Sequence, residues 1–473
     1  MRLYERLAND LEGLIRDGTL PAGARAPSIR EFCRERAASA ASVVRAYELL
    51  QARGLLESRA RSGFFVAGQP ARRAPRSTPA GSCRRPWHVE VSQLIFQILE
   101  SARQRDALPL GSAFPSPELF PLRQLGLHLA HVGRHPDPWH TIEDLPPGNL
   151  TLRRQISQRY RLAGASVSPD EIVITAGALE ALNLALQVVT KPDDVVAIEA
   201  PCFYGCLQAI ESAGRRVIEI PTHPQRGLDL DVLESTLQRV PVRACWFMTT
   251  FHNPLGVTLS DAAKQRLIQM LSARDIALIE DNVYSELYFT RKRPRITKVW
   301  DSRGLVLDCG SFAKSLAPGY RLGWVAAGRY ASDLWKRKIT TSLATSVPIQ
   351  AAIAHYLSSG VYERHLRRLR RTLARQQALM VAAIRKHFPG DCQYALPTGG
   401  YQLWVELPEH CDALSLHERA LERGISIAPG PIFSAHQDHR RAIRLNYGHP
   451  WNAASETAIA RLGSLMREQM QSR

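Results

Sequence analysis

The segment Ser311-Phe-Ala-Lys-Ser-Leu-Ala-Pro-Gly-Tyr-Arg-Leu-Gly-Trp324 comes directly after the apolar run Leu305-Val-Leu-Asp308. An apolar run followed by turn residues is typical of a buried strand and the loop at its end. A lysine that is partly buried among cations, as Lys314 would be here, has a lowered pKa and condenses with aldehydes. Ser311 and Arg321 suit a phosphate, which a guanidinium binds bidentately. Taken alone, Lys314 is more simply interpreted as an ordinary surface lysine in a loop. The choice between this interpretation and a reactive lysine depends on the other segments of the chain.

Apolar or β-branched runs alternate with amphipathic stretches from about residue 165 onward. The alternation predicts a mainly parallel sheet with helices on both faces. Its predicted strands are Glu171–Thr175, Asp194–Ile198, Arg216–Ile220, Ala244–Met248, Ile276–Ile279 and Leu305–Asp308. Beyond about residue 345, a long arginine-rich helix at Arg364–Arg375 and three further strands predict a smaller α+β domain. Those strands are Tyr401–Glu406, Ile425–Ile427 and Ala442–Leu445.

Polar residues follow several of these strands at their carboxyl ends, where open α/β sheets bind ligands. Asp281 ends one strand, and a buried carboxylate there can keep a pyridine nitrogen protonated. Asn253, in His252-Asn-Pro-Leu-Gly256, follows another strand and can donate to a phenolate oxygen. Gly177-Ala178 joins a strand to a helix, and backbone amides at such a helix start bind anions.

The first 66 residues predict three short helices and a β-hairpin. Ser28 and Glu31 have the spacing that caps the start of a second helix. A third helix is predicted from about Ser39 to Arg53, with Val43, Ala46, Tyr47 and Leu50 facing inward. Two short strands, Leu55–Ser58 and Gly63–Val66, follow it. Together these elements describe a winged helix-turn-helix.

Positive charge is concentrated in this region. The net charge is +17, and residues 1–85 hold 16 Arg, no Lys and 8 acidic residues. A polyanionic partner is therefore expected, although arginine-rich codon usage would produce a similar excess. In a helix-turn-helix the third helix would enter the major groove, with flanking arginines on phosphates. The predicted DNA-binding residues are Arg30, Arg34, Ser39, Ser42, Arg45, Arg59 and Arg61.

Composition excludes several other classes of protein. With 473 residues, 45% hydrophobic and 22% charged, the chain is neither collagenous nor wholly disordered. No apolar run approaches the ~18–20 residues of a membrane span. Acidic residues from Glu5 to Asp17 exclude a secretory signal, so we expect a cytoplasmic protein. Eight scattered cysteines give no metal-ligand or disulfide pattern. Four prolines and five arginines between residues 67 and 90 predict a linker, assigned to 69–90 between a domain at 1–68 and one at 91–473.

Residues 1–66 resemble the GntR family of winged-helix regulators. The resemblance rests on Gly23-Ala-Arg-Ala-Pro-Ser28-Ile-Arg30, Ser42-Val-Val-Arg-Ala-Tyr47, Gly54-Leu55 and Gly63. It implies that Gly63, in the wing, belongs to the DNA-binding set. Where the family often has Ser-Arg at the start of the recognition helix, this chain has Ser39-Ala40. An arginine that reads guanine is therefore missing, and operator preference should differ or depend more on DNA shape.

Roughly residues 105–470 resemble fold-type I pyridoxal-phosphate enzymes of the aspartate aminotransferase kind. The resemblance implies that Lys314 forms the internal aldimine and Asp281 pairs with the pyridinium nitrogen. It implies that Asn253 and Tyr284 contact the ring oxygen and Phe203 stacks on the ring. Arg444 would bind a substrate carboxylate, and Gly177, Ala178, Ser311 and Arg321 would hold the phosphate. Two positions depart from the family: Ala176 replaces a usual hydroxyl residue, and Phe203 the commoner Tyr.

A GntR-type winged helix joined to such a domain is similar to the MocR subfamily of transcriptional regulators. This resemblance implies an N-terminal α+β winged helix, an α/β large domain at about 150–345 and a smaller α+β domain. It further implies a homodimer that binds an operator and senses an amine or amino acid by aldimine exchange at Lys314. Two alternatives stay open, an active aminotransferase that carries a winged helix and a binding module without cofactor. A separate hypothesis is that the Arg364–Arg375 helix adds DNA contacts.

Overall fold

A computed structural model describes residues 3–16, 20, 23–52, 55–59, 63–67, 87–88, 91–101, 107–135, 138–139, 142 and 145–471. Most of the expected linker and the predicted DNA contact of Arg61 lie outside the described residues. Of Arg59, only the backbone is described.

The N-terminal elements are those expected from the sequence. Ser28 caps the second helix, where its side chain accepts from the Glu31 N–H while the Glu31 carboxylate accepts from the Ser28 N–H. The hairpin is antiparallel and pairs Leu56 with Val66. The elements are α1 (Leu3–Arg16), α2 (Ile29–Glu35), α3 (Ala40–Ala52), β1 (Leu56–Arg59) and β2 (Gly63–Val66).

Tyr47 joins the three parts of this domain. Its side chain is fully buried, and its hydroxyl donates to the Pro27 carbonyl over 2.7 Å. The ring makes edge contacts with Phe32 of α2 at 5.9 Å and Phe64 of β2 at 5.0 Å between centroids. Tyr47 of α3 therefore contacts both α2 and the hairpin, within a core that also contains Val43, Ala46 and Leu50.

The middle of the chain forms a nine-stranded mixed sheet with helices packed on it. The strands Ala277–Asp281 and Val306–Ser311 are parallel, with Asp281 beside Cys309, and Val242–Phe247 pairs in parallel with the other side of Ala277–Asp281. The strands run in the order β3-β7-β6-β9-β10-β11-β12-β5, and β8 pairs with β7. They are β3 (Trp87–His88), β5 (Ile172–Thr175), β6 (Val195–Ala200), β7 (Arg216–His223), β8 (Gly227–Leu228), β9 (Val242–Phe247), β10 (Ala277–Asp281), β11 (Val306–Ser311) and β12 (Gly323–Ala326); β4 (Leu108–Pro109) lies outside this sheet.

Two strands of this sheet differ from the sequence prediction. Gly323–Ala326 forms β12, which runs antiparallel to both β11 and β5, so the sheet is less uniformly parallel than expected. Trp87–His88, inside the expected linker, pairs antiparallel with β7 as an edge strand. Both segments are very short, and a run of two to four residues carries too little periodicity to be recognised.

Helices cover the sheet, and a second small sheet follows. The helices are α4 (Ser92–Ser101), α5 (Leu122–Arg134), α6 (Leu150–Leu162), α7 (Ala178–Val189), α8 (Tyr204–Ser212), α9 (Leu230–Arg239), α10 (Asp261–Ala273), α11 (Ala331–Thr341), α12 (Val347–Ser358), α13 (Val361–His387), α14 (Ala413–Leu421) and α15 (Ala453–Gln471). The small sheet has the order β13-β14-β17-β16, and β15 pairs with β4. These strands are β13 (Gln393–Tyr394), β14 (Gln402–Glu406), β15 (Ile425–Ser426), β16 (Ala428–Pro429) and β17 (Ala442–Asn446).

Among the described residues, no helix combines the length and the apolar character needed to cross a lipid bilayer.

Replacing Tyr47 with phenylalanine should loosen the winged helix without changing its fold. The variant keeps the ring contacts but leaves the part-buried Pro27 carbonyl without its donor, and a lost hydrogen bond of this kind costs about 0.5–1.5 kcal/mol. Hydrogen exchange of the α3 amides, read by mass spectrometry on the full chain, measures the change. Tyr4→Phe is the matched control, since within the described part of the chain the Tyr4 hydroxyl makes only a 3.5 Å contact with Glu5. Equal effects of the two variants would contradict the role given to Tyr47.

Candidate functional site

The central strands bring Asn253, Asp281 and Lys314 to one edge of the sheet. Asp281 is the last residue of β10, Lys314 lies three residues beyond β11, and Asn253 lies in the loop after β9. Because these three strands are adjacent and parallel, their carboxyl ends meet. The predicted grouping of the three residues follows from this topology.

Asp281 is a deeply buried carboxyl group, with 3% of its surface exposed. Burial raises the pKa of its carboxyl to about 7, against the opposing effects of the Val283 N–H and the nearby Lys314. Its Oδ1 has no hydrogen-bond partner among the described residues. A buried carboxylate oxygen without a donor is costly, so this atom is suited to a donor that a bound group would bring.

Lys314 is held between a carbonyl and an aromatic ring. Its Nζ donates to the Ala113 oxygen over 2.8 Å and lies 3.8 Å from the centroid of the Phe114 ring. Burial lowers the pKa of Lys314 to about 7, and Arg444 and Arg321 act in the same direction while Asp281 opposes them. A large fraction of this amine is therefore uncharged at neutral pH, as a nucleophile requires.

Gly177 and Arg321 form an anion cradle at the start of α7. Gly177 has φ +89°, and a Cβ there would lie 2.5 Å from Arg321 Nη2. A Cβ on Gly323 would lie 2.6 Å from the Gly177 carbonyl carbon, so both positions need glycine. Ala178 opens the helix, whose first amides suit an anion. The exposed Arg321 lies at the same end, where its Nη2 donates to the Ala176 carbonyl over 3.4 Å.

Ser311 and the backbone of Ala176, the position that lacks the family's usual hydroxyl, already have hydrogen-bond partners within the chain. The Ser311 hydroxyl donates to the Leu322 carbonyl and accepts from the Ala313 N–H, both over 3.0 Å, so it stabilises its own turn. A phosphate contact would have to replace the bond to Leu322. The Ala176 N–H donates to Glu180, whose carboxylate also accepts from Lys338.

Arg444 is a fully buried guanidinium with unused donor capacity. Its Nη1 donates to Asn253 Oδ1 over 3.1 Å and its Nη2 to the Gly111 carbonyl over 2.6 Å. Burial lowers its pKa, and Nε has no partner among the described residues. No carboxylate among the described residues forms an ion pair with it, which makes it suited to an incoming carboxylate.

Tyr284 and Phe203 complete the predicted set. The Tyr284 hydroxyl accepts from Gln402 Nε2 over 3.1 Å, and burial raises its pKa. Phe203 is half-buried at the start of α8, where a Cβ on Gly205 would lie 2.6 Å from its ring. Gly205 therefore leaves room for the Phe203 ring in its present position.

The structure adds residues that sequence reasoning missed. Ala113 accepts from both Lys314 Nζ and the Tyr401 hydroxyl, the latter over 2.9 Å. A backbone carbonyl contributed by a distant loop gives no signal in the sequence. Tyr401 also packs edge-on against Tyr284, with 5.4 Å between ring centroids.

A hydrogen-bonded chain connects the Lys314 turn to helix α13. Tyr362 donates to Glu286 Oε2 over 2.6 Å, so the Ser315 hydroxyl, 2.8 Å away, donates to Tyr362. His365 Nε2 donates to the Ser315 carbonyl over 2.7 Å. Ser315, the residue next to Lys314, thus has two hydrogen-bond partners on α13. A movement of the Lys314 turn would therefore displace or break contacts to this helix.

Among the predicted DNA-binding residues that the structure describes, those on helices are Arg30 and Arg34 of α2 and Ser42 and Arg45 of α3, and Ser39 directly precedes α3. Arg30, Ser39 and Arg45 are exposed and Ser42 is half-buried. The Ser39 hydroxyl accepts from the Ser42 N–H over 3.3 Å and so caps α3. The Arg45 guanidinium lies 5.2 Å from the Tyr4 ring centroid, and Gly63 has φ +98° at the start of β2.

Comparison with known proteins identifies both parts. Residues 3–66 match the gntR family of bacterial regulatory proteins, and residues 145–462 match aminotransferase class I and II. The chain is 44% identical over 470 residues to the uncharacterized HTH-type transcriptional regulator YdcR of Escherichia coli K12, covering 99% of this chain and 100% of that protein. It is 26% identical to the probable rhizopine catabolism regulatory protein MocR of Rhizobium meliloti, covering 90% and 85%.

A solved structure with the same fold contains a cofactor derivative. LysN, the α-aminoadipate aminotransferase of Thermus thermophilus, complexed with N-(5'-phosphopyridoxyl)-L-leucine, superposes with a TM-score of 0.73. The two chains are 29% identical, over 80% of this chain and 95% of LysN.

Membership of aminotransferase class I and II implies pyridoxal phosphate, and the described residues fit it. The unpartnered Asp281 Oδ1 can accept from a protonated ring nitrogen, and the space that a Cβ at Gly177 would fill adjoins an arginine suited to phosphate. The chain therefore belongs to the MocR-type transcriptional regulators, in which a GntR winged helix that binds DNA precedes a pyridoxal-phosphate-dependent aminotransferase domain.

Proposed function

We propose that the aminotransferase domain senses an amine or amino acid through exchange at Lys314 and thereby changes operator binding. The observation that carries this proposal is that adjacent parallel strands lead to Lys314 and to Asp281, whose buried Oδ1 has no partner among the described residues. Burial lowers the pKa of Lys314 to about 7, which favours its reactive free amine. When bound, pyridoxal phosphate supplies an aldehyde that condenses with amines. Lys314 Nζ would be released when an effector amine takes its place.

The neighbouring residues give this exchange its specificity and its output. Arg444, with its free Nε, would hold the carboxylate of an amino acid. Ser315 would transmit the release of Lys314 to Tyr362 and His365 of α13. A two-state change of this kind typically provides ~1–3 kcal/mol, about 5–150-fold in affinity.

A working aminotransferase is the second candidate, because the residues it needs are together. Lys314 with a pKa near 7 can carry a proton as well as form a bond, and Arg444 lies beside Asn253. Turnover with 2-oxoglutarate at ordinary enzyme rates, ~1–1000 per second, without any ligand effect on DNA binding, would favour it.

We also propose that the chain acts as a cytoplasmic homodimer. Large apolar side chains stay exposed along the start of the aminotransferase domain, which favours a covering partner. They include Phe96 at 63%, Leu127 at 65% and Trp139 at 68% exposure. Two winged helices would then suit two operator half-sites.

Titration with the effector should change the visible cofactor spectrum and the operator affinity with one shared midpoint. A panel of amines and amino acids, followed by absorbance and by fluorescence anisotropy of labelled operator, measures both. Lys314→Ala should remove the visible band and the response, because no lysine amine is left to exchange. Lys191→Ala, which removes an exposed lysine, is the control. A full response in Lys314→Ala would refute the proposal.

The reactivity of Lys314 should rise through about pH 7. Only the free amine reacts, and burial lowers its pKa to about 7 rather than the usual ~10.4. Competitive acetylation of the cofactor-free protein, read peptide by peptide, gives the profile. Asp281→Asn should shift the rise to lower pH, since it removes the charge that stabilises the ammonium. Asp275→Asn, at an exposed carboxylate bound to Arg329, should leave it in place. A rise near pH 10 would contradict the assignment.

Arg444→Gln should weaken amino-acid effectors much more than amines without a carboxylate. Loss of a buried charge partner typically costs about 2–5 kcal/mol. An amine without a carboxylate makes no ion pair with Arg444, so its affinity should change little. Spectral titration with an amino acid and its decarboxylated amine provides the comparison. Arg440→Gln, at an exposed arginine bound to Asp412, is the control. Equal weakening of both ligands would show that Arg444 does not bind the carboxylate.

A further inference from the structure

Helix α13 carries five exposed arginines along one face. They are Arg364, Arg367, Arg368, Arg371 and Arg375. At 100° per residue their positions fall within an arc of about 100°, and at 1.5 Å per residue they extend over about 17 Å. The five guanidinium groups therefore form one continuous basic stripe, here called the α13 stripe.

The α13 stripe is not neutralised by its surroundings. No carboxylate among the described residues forms an ion pair with any of the five arginines, and Arg367 Nε donates only to the Glu363 carbonyl. By contrast, Arg370 on the flank of the helix pairs with Glu363 at 3.8 Å and stacks on Tyr288 at 4.1 Å. Exposed helix faces usually mix both signs of charge, so an unpaired cationic face suits a polyanion.

The opposite face of α13 holds the stripe in place. Its residues Tyr362, Leu366, Leu369 and Leu373 are buried, and Tyr362 and His365 are hydrogen-bonded to Ser315. Helix α13 also approaches α3, the recognition helix of the winged domain. The helix that carries the stripe is thus anchored by its buried face and contacts the element that is expected to enter the major groove.

We propose that the α13 stripe binds the phosphate backbone of DNA next to the segment held by the winged helix. Duplex DNA presents one negative charge per ~1.7 Å of axis, so a row of arginines about 17 Å long can meet several phosphates at once. Arginine suits this role because its planar group binds phosphate oxygens bidentately. The contact adds affinity and orientation without reading sequence. It needs neither cofactor nor effector, so it goes beyond the proposed sensing.

Salt dependence of DNA binding tests this proposal. The full chain with Arg364→Gln, Arg368→Gln and Arg371→Gln should bind a duplex of arbitrary sequence, about four helical turns long, more weakly. The slope of log affinity against log salt should fall by about 2–3, since each lost phosphate contact removes about 0.9. Operator DNA should lose affinity by the same factor as the arbitrary duplex.

Two matched variants separate a local contact from general charge. The remote variant, with Arg226→Gln, Arg239→Gln and Arg243→Gln, removes three exposed arginines that are distant in sequence from the α13 stripe. It should leave the slope nearly unchanged. Arg364→Lys, Arg368→Lys and Arg371→Lys keep the charge and should keep most of the slope. An unchanged slope in the stripe variant, or an equal fall in the remote variant, would overturn the proposal. Either failure would leave the cofactor proposal intact, because these measurements contain no effector.

Discussion

The site depends on placing a lysine and a carboxylate together where water is largely excluded. Burial shifts the pKa of Lys314 down and that of Asp281 up, each to about 7, so both groups are moved toward their neutral forms. Burial disfavours the charged form of each group, and Asp281 Oδ1 has no hydrogen-bond partner among the described residues. A ligand that reacts with the amine and donates a hydrogen bond to the carboxylate relieves both costs. The fold therefore has a physical reason to retain such a group.

The sheet places Asp281 and Lys314 at one edge, and two helices add an anion cradle and a connection toward the DNA-binding domain. Adjacent parallel strands deliver Asp281 and Lys314 to one edge, and the first turn of α7 adds the anion cradle at Gly177. Arg444 reaches the same place from β17, where it contacts Asn253. Ser315 then connects the reactive turn to α13 through Tyr362 and His365. Chemistry at Lys314 thus adjoins a helix that approaches the DNA-binding domain.

Features with a regular residue pattern could be predicted from the sequence. The strand that ends at Asp281 and the strand that precedes Lys314 are clear apolar runs, and the Ser28–Glu31 cap follows a spacing rule. The fold class and the grouping of these residues were therefore predictable. Short or irregular features were not. Strand β12 has four residues, the Ala113 carbonyl comes from a loop far away in sequence, and the Ser311 hydroxyl is occupied by Leu322. These depend on tertiary packing, which local periodicity does not encode.

The central claim is that DNA binding responds to the release of the Lys314 amine. Borohydride reduction of the cofactor-loaded protein would make the Lys314 linkage permanent, so an effector could no longer displace it. We therefore expect the reduced protein to bind operator with one fixed affinity, with and without effector, while the untreated protein responds. The most direct measurement is operator affinity of the two samples side by side. If the reduced protein still responded fully, exchange at Lys314 would not be the signal.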